Sequence, residues 1–186
     1  MKLESFFFLG VPFFVFSKDE LDLAKMRTSI PKIQFMFLFG SIRQFLKSVK
    51  DTGKIIYGKD LLRDVKLSPS FSDKLKLFFE PFYFLSLSMI VLPFDRKLAM
   101  KHAMKISLYE EEFDMFLLGK KMKGYNKDFK NYKKFVHLTS GTKHLEKTLK
   151  YRKNYNKMRP MTGEAFSYIL GSYRFVIFSW LSSVRN

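Results

Sequence analysis

The feature that most restricts how this chain can fold is the segment from Lys120 to Arg159. It carries fourteen lysines and arginines but only two acidic residues, Asp128 and Glu146. The segment therefore contributes +12 of the chain's formal net charge of +17. Charges at this density are not buried in a core without partners, so the segment is either a solvated surface or a surface that binds a polyanion.

The length of 186 residues is sufficient for one domain with a basic extension. In the first sixty residues, short apolar runs at 5–16, 33–39 and 54–57 predict strands. A capping box at Ser17 and Glu20 and an apolar stripe at spacings of three and four predict helices at 18–26 and 42–49. This alternation predicts an α+β fold, a mixed α/β core of short strands and helices.

Further along the chain, Ser72 or Asp73 can cap a short helix that Pro81 ends. The alternation of apolar residues between Pro81 and Pro93 predicts a strand, with a short buried helix as the alternative. Three later elements are a helix from Asp95 to Gly119, a polar helix at 142–157 and an apolar helix or strand at 165–181. The predicted organisation is a core at 1–119, a basic, largely helical arm at 120–160 and an apolar element at 161–186 that returns to the core.

The sequence predicts no catalytic site, no metal site and no cofactor. It has no cysteine, and its three histidines, His102, His137 and His144, lack the spacing of a zinc site. It also lacks a glycine-rich phosphate loop and a nucleophile elbow. Three consecutive glutamates at 110–112 point to different sides of a helix, and we predict that they form a solvated face or pair with nearby lysines. The protein is therefore not expected to be an enzyme.

The basic segment predicts RNA binding, because dense cations neutralise phosphates and aromatic rings offer planes for unpaired bases. Tyr125, Phe129, Tyr132 and Phe135 have helical spacing and are predicted to pack on the core. The predicted RNA-binding residues are Lys120, Lys121, Lys123, Lys127, Lys130, Lys133, Lys134, Lys143, Lys147, Lys150, Tyr151, Arg152, Lys153, Tyr155, Lys157 and Arg159. Since lysines outnumber arginines among them, low sequence specificity is expected.

Anionic lipid is the alternative partner of the basic segment. The helix at 142–157 offers few bulky apolar residues opposite its lysines, so the sequence favours RNA over lipid. A membrane span at 165–181 would require Arg174 to be paired or to reach the interface. An accessory subunit of an organellar membrane complex, with the Phe-rich N-terminus and this segment in or on lipid, is therefore the competing prediction.

The composition, with 23 Phe, one Trp and many Lys, resembles that of organelle-encoded ribosomal proteins from AT-rich genomes. This resemblance implies a non-catalytic structural component of a mitochondrial-type ribosome, with rRNA and neighbouring proteins as partners. The N-terminal MKLESFFFLGVPFFVF lacks a cleavage site for a secretory signal and is poor in Arg and Ser, so a retained N-terminus and a mitochondrial localisation are expected.

Two other stretches, SKDELDLAKM at 17–26 and TGKIIYGKDLL at 52–62, resemble the segment after the catalytic core of polymerase-β-like nucleotidyltransferases. That family holds magnesium with two carboxylates, one residue apart, after a Gly-Ser turn. Gly40-Ser41 is present here, but residues 42–50 contain no acid. The resemblance therefore implies an inactive relative used as a scaffold, which is the second alternative function.

Overall fold

The computed structural model describes residues 7–8, 11–12, 21–22, 27–28, 40–53, 62–121, 132 and 139–185. Within these residues the five α-helices are α1 (Ile42–Thr52), α2 (Phe71–Val91), α3 (Arg96–Leu117), α4 (Thr139–Lys153) and α5 (Thr162–Arg185). A 3₁₀ helix, Tyr155–Lys157, follows α4. Four two-residue strands form two separate antiparallel pairs: β1 (Phe7–Phe8) with β2 (Val11–Pro12), and β3 (Leu21–Asp22) with β4 (Arg27–Thr28).

The prediction of an α+β fold is wrong, because the part of the chain that the structure describes is an all-α fold, with two isolated pairs of short strands beside it. The two strand pairs do not join each other and, among the described residues, no strand extends beyond two residues. The helix predicted at 18–26 is contradicted at Leu21–Asp22, which belong to β3. The strands predicted at 33–39 and 54–57 lie outside the described residues.

Helices α1 and α2 begin next to each other, and Asp73 connects them. The Ser41 hydroxyl caps α1 by accepting from the Gln44 amide, and it donates to the Asp73 carboxylate at 2.6 Å. Asp73 also completes a capping box with Ser70, which is therefore the cap in place of the predicted Ser72 or Asp73. Burial alone would raise the pKa of Asp73, but hydrogen bonds from Ser41, Ser70 and Arg43 outweigh it and lower the pKa.

Helix α2 runs through Pro81, so the predicted helix end at this residue and the predicted strand after it are wrong. Proline inside a helix costs about 3 kcal/mol, because it removes one hydrogen bond and crowds the preceding turn. Leu77, Pro81 and Leu85 are buried on one side of α2, against α3 and α5. Burial of each leucine contributes about 2 kcal/mol, so the packing of this side exceeds the cost of the proline.

Helix α3 has the limits that its sequence predicts. The Asp95 carboxylate accepts from the Leu98 amide at 2.9 Å, which caps the start of the helix. Gly119 has a φ of 65°. The amides of Gly119 and Lys120 donate to the carbonyls of Phe116 and Met115, which is the Schellman arrangement that glycine permits.

The bundle is assembled around α3, which packs on α2, α4 and α5, while α5 also contacts α2 and α4. Small residues on α3, such as Ala99 and Ala103, are fully buried and allow close helix packing. The described part of the basic segment belongs to this bundle, because Leu145 of α4 is fully buried against Tyr132 and Phe175. The sequence predicts either a helix or a strand at 165–181, and the structure has a helix there, α5. None of the described helices is long and apolar enough to cross a membrane.

Candidate nucleic-acid interface

A row of lysines follows the outer side of α3. Lys97, Lys101 and Lys105 are spaced by four residues and therefore lie on one side of the helix. Lys101 and Lys105 are exposed, whereas Met100 and Met104 beside them are buried in the core. The apolar residues fix the rotation of α3 and so direct the lysine row away from the core.

The end of α4 and the 3₁₀ helix lie alongside this row. The ammonium group of Lys97 donates to the Asn156 carbonyl at 3.2 Å, which ties the two segments together. Tyr155 and Met158 pack against the main core, so the segment is held in place by apolar contacts as well. Arg152 and Lys153, at the last turn of α4, are exposed on this side.

Between the two segments is a groove of about 470 Å³, called here the basic groove. Its lining residues are Lys101, Met104, Lys105, Leu108, Tyr109, Arg152, Lys153, Tyr155 and Asn156. Of these residues, which are the lining within the described part of the chain, four are cationic and none is acidic. A groove with cationic walls and low-dielectric surfaces concentrates positive potential, which attracts an anion.

Two tyrosines position the lysines of this region. The ammonium groups of Lys97 and Lys101 lie 4.9 and 5.6 Å from the centroid of the Tyr155 ring, and that of Lys105 lies 5.4 Å from the Tyr109 centroid. Cation–π contacts of this kind contribute about 0.5–1 kcal/mol each at exposed sites. They restrict the lysine side chains, so less conformational entropy is lost when a phosphate binds.

A second hollow continues from the basic groove, and Asn156 lines both. It is lined by Phe94, Asp95, Arg96, Lys97, Asn156, Met158, Arg159, Pro160 and Met161. Arg96, Lys97 and Arg159 outnumber the one acid, Asp95, whose carboxylate already caps α3. The cationic surface therefore extends from Arg152 to the start of α5.

The structure brings together three of the residues predicted to bind RNA, Arg152, Lys153 and Tyr155, in the basic groove. Tyr151 lies elsewhere: its hydroxyl donates to Glu164 at 2.8 Å and its ring packs on Tyr168. The remaining described members are exposed outside this groove: Lys120, Lys121, Lys143, Lys147, Lys150, Lys157 and Arg159. Five others lie outside the described residues: Lys123, Lys127, Lys130, Lys133 and Lys134.

Sequence reasoning missed the α3 wall of the groove. Lys97, Lys101 and Lys105 precede the dense basic segment and belong to a helix whose most evident pattern is its apolar stripe. Their spacing of four was the signal that could have revealed a basic helix face. The contact between this row and the end of α4 joins segments that are distant in sequence, so the sequence alone does not indicate it.

A cluster of buried carboxyl groups lies between α2, α3 and α5, away from the groove. The prediction that residues 110–112 form a solvated face is wrong for Glu110 and Glu111, which are fully buried because α3 is the central helix. Neither carboxyl oxygen of Glu110 has a hydrogen-bond partner among the described residues. Burial, then the nearby charges of Asp114 and Glu80, raise the pKa of Glu110 well above its usual value.

Asp114, another member of this cluster, has three hydrogen-bond partners in the described part of the chain. It accepts from Ser183 at 2.5 Å and from the hydroxyls of Tyr132 and Ser179. Burial raises the pKa of Asp114 to about 6, although the three hydrogen bonds act in the opposite direction. Across the part of the chain that the structure describes, no group of His, Asp and Glu side chains is arranged to hold a metal ion.

His144 of α4 is part of the interior and not of the cationic surface. Its Nε2 atom lies 3.1 Å from the Ser107 hydroxyl and 3.2 Å from that of Ser172, and its ring stacks on Tyr168. A side chain at Gly171 would come within 3.3 Å of the imidazole. Burial, followed by the charge of Lys147, lowers the pKa of His144 to about 4, so the imidazole is neutral at pH 7.

Comparisons with known proteins add no relative: no protein-family model matches the chain, and no curated protein or solved structure matches it.

Proposed function

We propose that this protein is a non-catalytic, RNA-binding component of a ribonucleoprotein, and that the basic groove holds the phosphate backbone of the RNA. The composition favours an organellar ribosome as the assembly, with rRNA and neighbouring proteins as the partners. The observation that carries the proposal is the basic groove itself, in which lysines of α3 face Arg152 and Lys153 and the described lining residues include no acid.

The chemistry of the groove suits a polymer of phosphates better than a single small anion. The row of cations on α3 continues beyond the groove to Lys97, one turn before Lys101. Each phosphate that contacts one of these cations releases condensed counterions, and the gain in free energy accumulates along the chain. Lysines contact phosphates without reading base edges, so binding with little sequence preference is expected.

The proposal is tested by measuring the affinity for a short unstructured RNA over a range of salt concentrations, using fluorescence anisotropy. The slope of log K against log salt should lose about 0.7 for each phosphate contact removed. The double substitution Lys101→Gln with Lys105→Gln should therefore flatten the slope by more than 1 and weaken binding about tenfold or more at low salt.

The matched control is Arg63→Gln with Lys66→Gln, which removes the same charge from exposed positions outside the groove. It should leave the slope nearly unchanged. Equal losses for the two pairs would show that only net charge matters and would refute the groove as the binding site. Affinity that does not change with salt would refute phosphate recognition altogether.

A further inference from the structure

Two helices present apolar side chains to the outside of the bundle. Phe79 is 61% exposed and Ile90 63% exposed, although both belong to a helix whose other side is buried in the core. The exposed apolar residues of α2 are Phe71, Leu75, Phe79, Tyr83, Leu87 and Ile90. Those of α5 are Phe166, Leu170, Ile177, Phe178 and Leu181. Exposed apolar residues at successive helical turns mark an interaction surface more often than scattered single ones do.

These two rows form one surface, called here the apolar face. The helices meet along a seam where Phe82 packs on Tyr173, with ring centroids 5.7 Å apart, and Phe78 packs on Trp180 at 4.7 Å. On α2 the exposed residues Leu75 and Phe79 lie next to this seam. On α5, Phe166, Leu170 and Ile177 lie next to Tyr173 and Trp180, so the rows adjoin across the seam.

Acidic side chains are kept off the apolar face. Helices α2 and α5 contain three acids, and each is directed elsewhere. Asp73 bonds to Ser41 and Arg43, and Glu164 accepts from Tyr151. Glu80 lies partly buried beside Glu110, whose pKa it raises. Among the α5 residues whose exposure the structure describes, the charged residue on the exposed side is a cation, Arg174.

One end of the apolar face is surrounded by cations. Phe94, 87% exposed, follows α2, and Met161, 73% exposed, precedes α5. Both line the hollow that also contains Arg96, Lys97 and Arg159. Apolar side chains beside lysines and arginines match the boundary of an anionic bilayer, where acyl chains meet negatively charged headgroups.

We propose that the apolar face docks on the surface of an anionic lipid bilayer, with Phe94 and Met161 entering the acyl boundary and Arg96 and Arg159 contacting headgroups. A second copy of the chain fits this surface poorly. Two chains of formal charge +17 repel each other, and Arg174 lies within the surface that the copies would have to bury. A bilayer accommodates the arginine because its long side chain reaches the headgroups while its methylenes stay among apolar neighbours.

The experiment is flotation of purified, nuclease-treated protein with vesicles of phosphatidylcholine, with and without phosphatidylglycerol. Binding should be stronger to the vesicles that contain phosphatidylglycerol. The double substitution Phe79→Ser with Ile90→Ser should lower the partition coefficient at least about tenfold, because burial of one such side chain is worth more than a factor of ten. Arg96→Gln with Arg159→Gln should remove most of the preference for phosphatidylglycerol.

The control is Val49→Ser, which changes an exposed apolar residue of α1, away from the face, and should bind vesicles normally. Failure of the protein to float with either vesicle would overturn the proposal. Binding that Phe79→Ser with Ile90→Ser leaves intact would also overturn it. So would a dimer in analytical ultracentrifugation that this double variant abolishes, since a second copy would then cover the face. Groove variants should float normally, so failure of RNA binding and failure of membrane docking are distinguishable.

Discussion

The α3/α4 side of the bundle and the α2/α5 side arrange polar and apolar groups in opposite ways. On the first, charged groups such as Lys101 and Arg152 are outside and apolar groups are inside. On the second, phenylalanines such as Phe79 are outside, whereas Glu110 and Asp114 are buried behind them. Water solvates the charged groups of the first side well. On the second side, water solvates the exposed phenylalanines poorly and does not reach the buried carboxyl groups.

Because of this difference, we propose a different partner for each side. The cationic side is stable in water and gains further free energy when a polyanion replaces its counterions. The α2/α5 side exposes large apolar side chains to water, while its acids are buried. It therefore gains most free energy when a nonpolar medium covers these side chains. Helix α3 connects the two, because it carries the lysine row on one side and the buried carboxyls on the others.

The largest expected effect is on pH dependence and tests the buried acids. Burial raises the pKa of Asp114 to about 6 and that of Glu80 to about 7. Their stabilising contributions are therefore complete below pH 4 and are lost as the pH rises through these values. The lowered pKa of His144 acts in the opposite direction, because its contribution is lost as the pH falls from 6.5 towards 4.

Asp114 and Glu80 against His144, each worth about 3 kcal/mol, leave a net fall in the free energy of unfolding of about 3 kcal/mol between pH 4 and pH 7. The raised pKa of Glu110 acts in the same direction as those of Asp114 and Glu80 and increases this fall. Denaturant unfolding followed by circular dichroism at several pH values measures this. A free energy that rises over the same range would mean that the carboxyls are solvated. The description of the α2/α5 side as one with buried carboxyl groups would then be wrong.

The next effect concerns α4, which carries Arg152 and Lys153 of the basic groove. Leu145→Ala removes a fully buried side chain between Tyr132 and Phe175 and should cost about 3 kcal/mol in unfolding free energy. It should also weaken RNA binding, because α4 positions Arg152 and Lys153, and should leave vesicle binding unchanged. Leu149→Ala, at a half-buried position on the same helix, should cost less. If Leu145→Ala weakened vesicle binding as well, the two sides would not be independent.

On the α2/α5 side, Glu110→Met should raise the free energy of unfolding at pH 7 by about 2 kcal/mol. The substitution replaces a buried carboxyl group that has no hydrogen-bond partner among the described residues with an apolar side chain of similar length. The pH dependence should become shallower at the same time. Glu112→Met, at the half-buried neighbouring position, serves as control and should give a smaller gain. Destabilisation by Glu110→Met would show that this carboxyl has a stabilising partner.

The smallest effect separates exposed from buried apolar residues of α2. Phe79→Ser should change the free energy of unfolding by less than about 0.5 kcal/mol, because the side chain contributes little to the core. Leu77→Ala, two residues away and fully buried, should cost about 3 kcal/mol. Similar costs for both would place Phe79 in the core and would remove the apolar face as a docking surface.

Local signals predicted the elements that have caps and a single apolar stripe. Asp95 and Gly119 bound α3, and the stripe at Ile42, Phe45, Leu46 and Val49 gave α1. The first half of α2 was predicted as a helix, but the half after Pro81 was predicted as a strand, with a short buried helix as the alternative, because it is apolar on both its buried and its exposed side. With Leu85 buried and Leu87 exposed, the two sides together produce the alternation typical of a strand.

The candidate site was half predictable. Arg152, Lys153 and Tyr155 lie in a segment whose charge density is visible in the sequence, whereas the lysine row of α3 is diluted among apolar and acidic neighbours. Glu110 and Glu111 were expected to be solvated or paired with nearby lysines, because charged residues usually are. Their burial follows from packing on three sides of α3, which depends on contacts distant in sequence.

The most direct test of the central claim, that one bundle carries a site for RNA and a separate site for lipid, is co-flotation of labelled RNA with phosphatidylglycerol vesicles. RNA should float only when the protein is present. Lys101→Gln with Lys105→Gln should leave the protein on the vesicles and lose the RNA, whereas Phe79→Ser with Ile90→Ser should lose both. Release of wild-type protein from the vesicles by RNA would mean that the two ligands share one cationic surface, and would contradict the account.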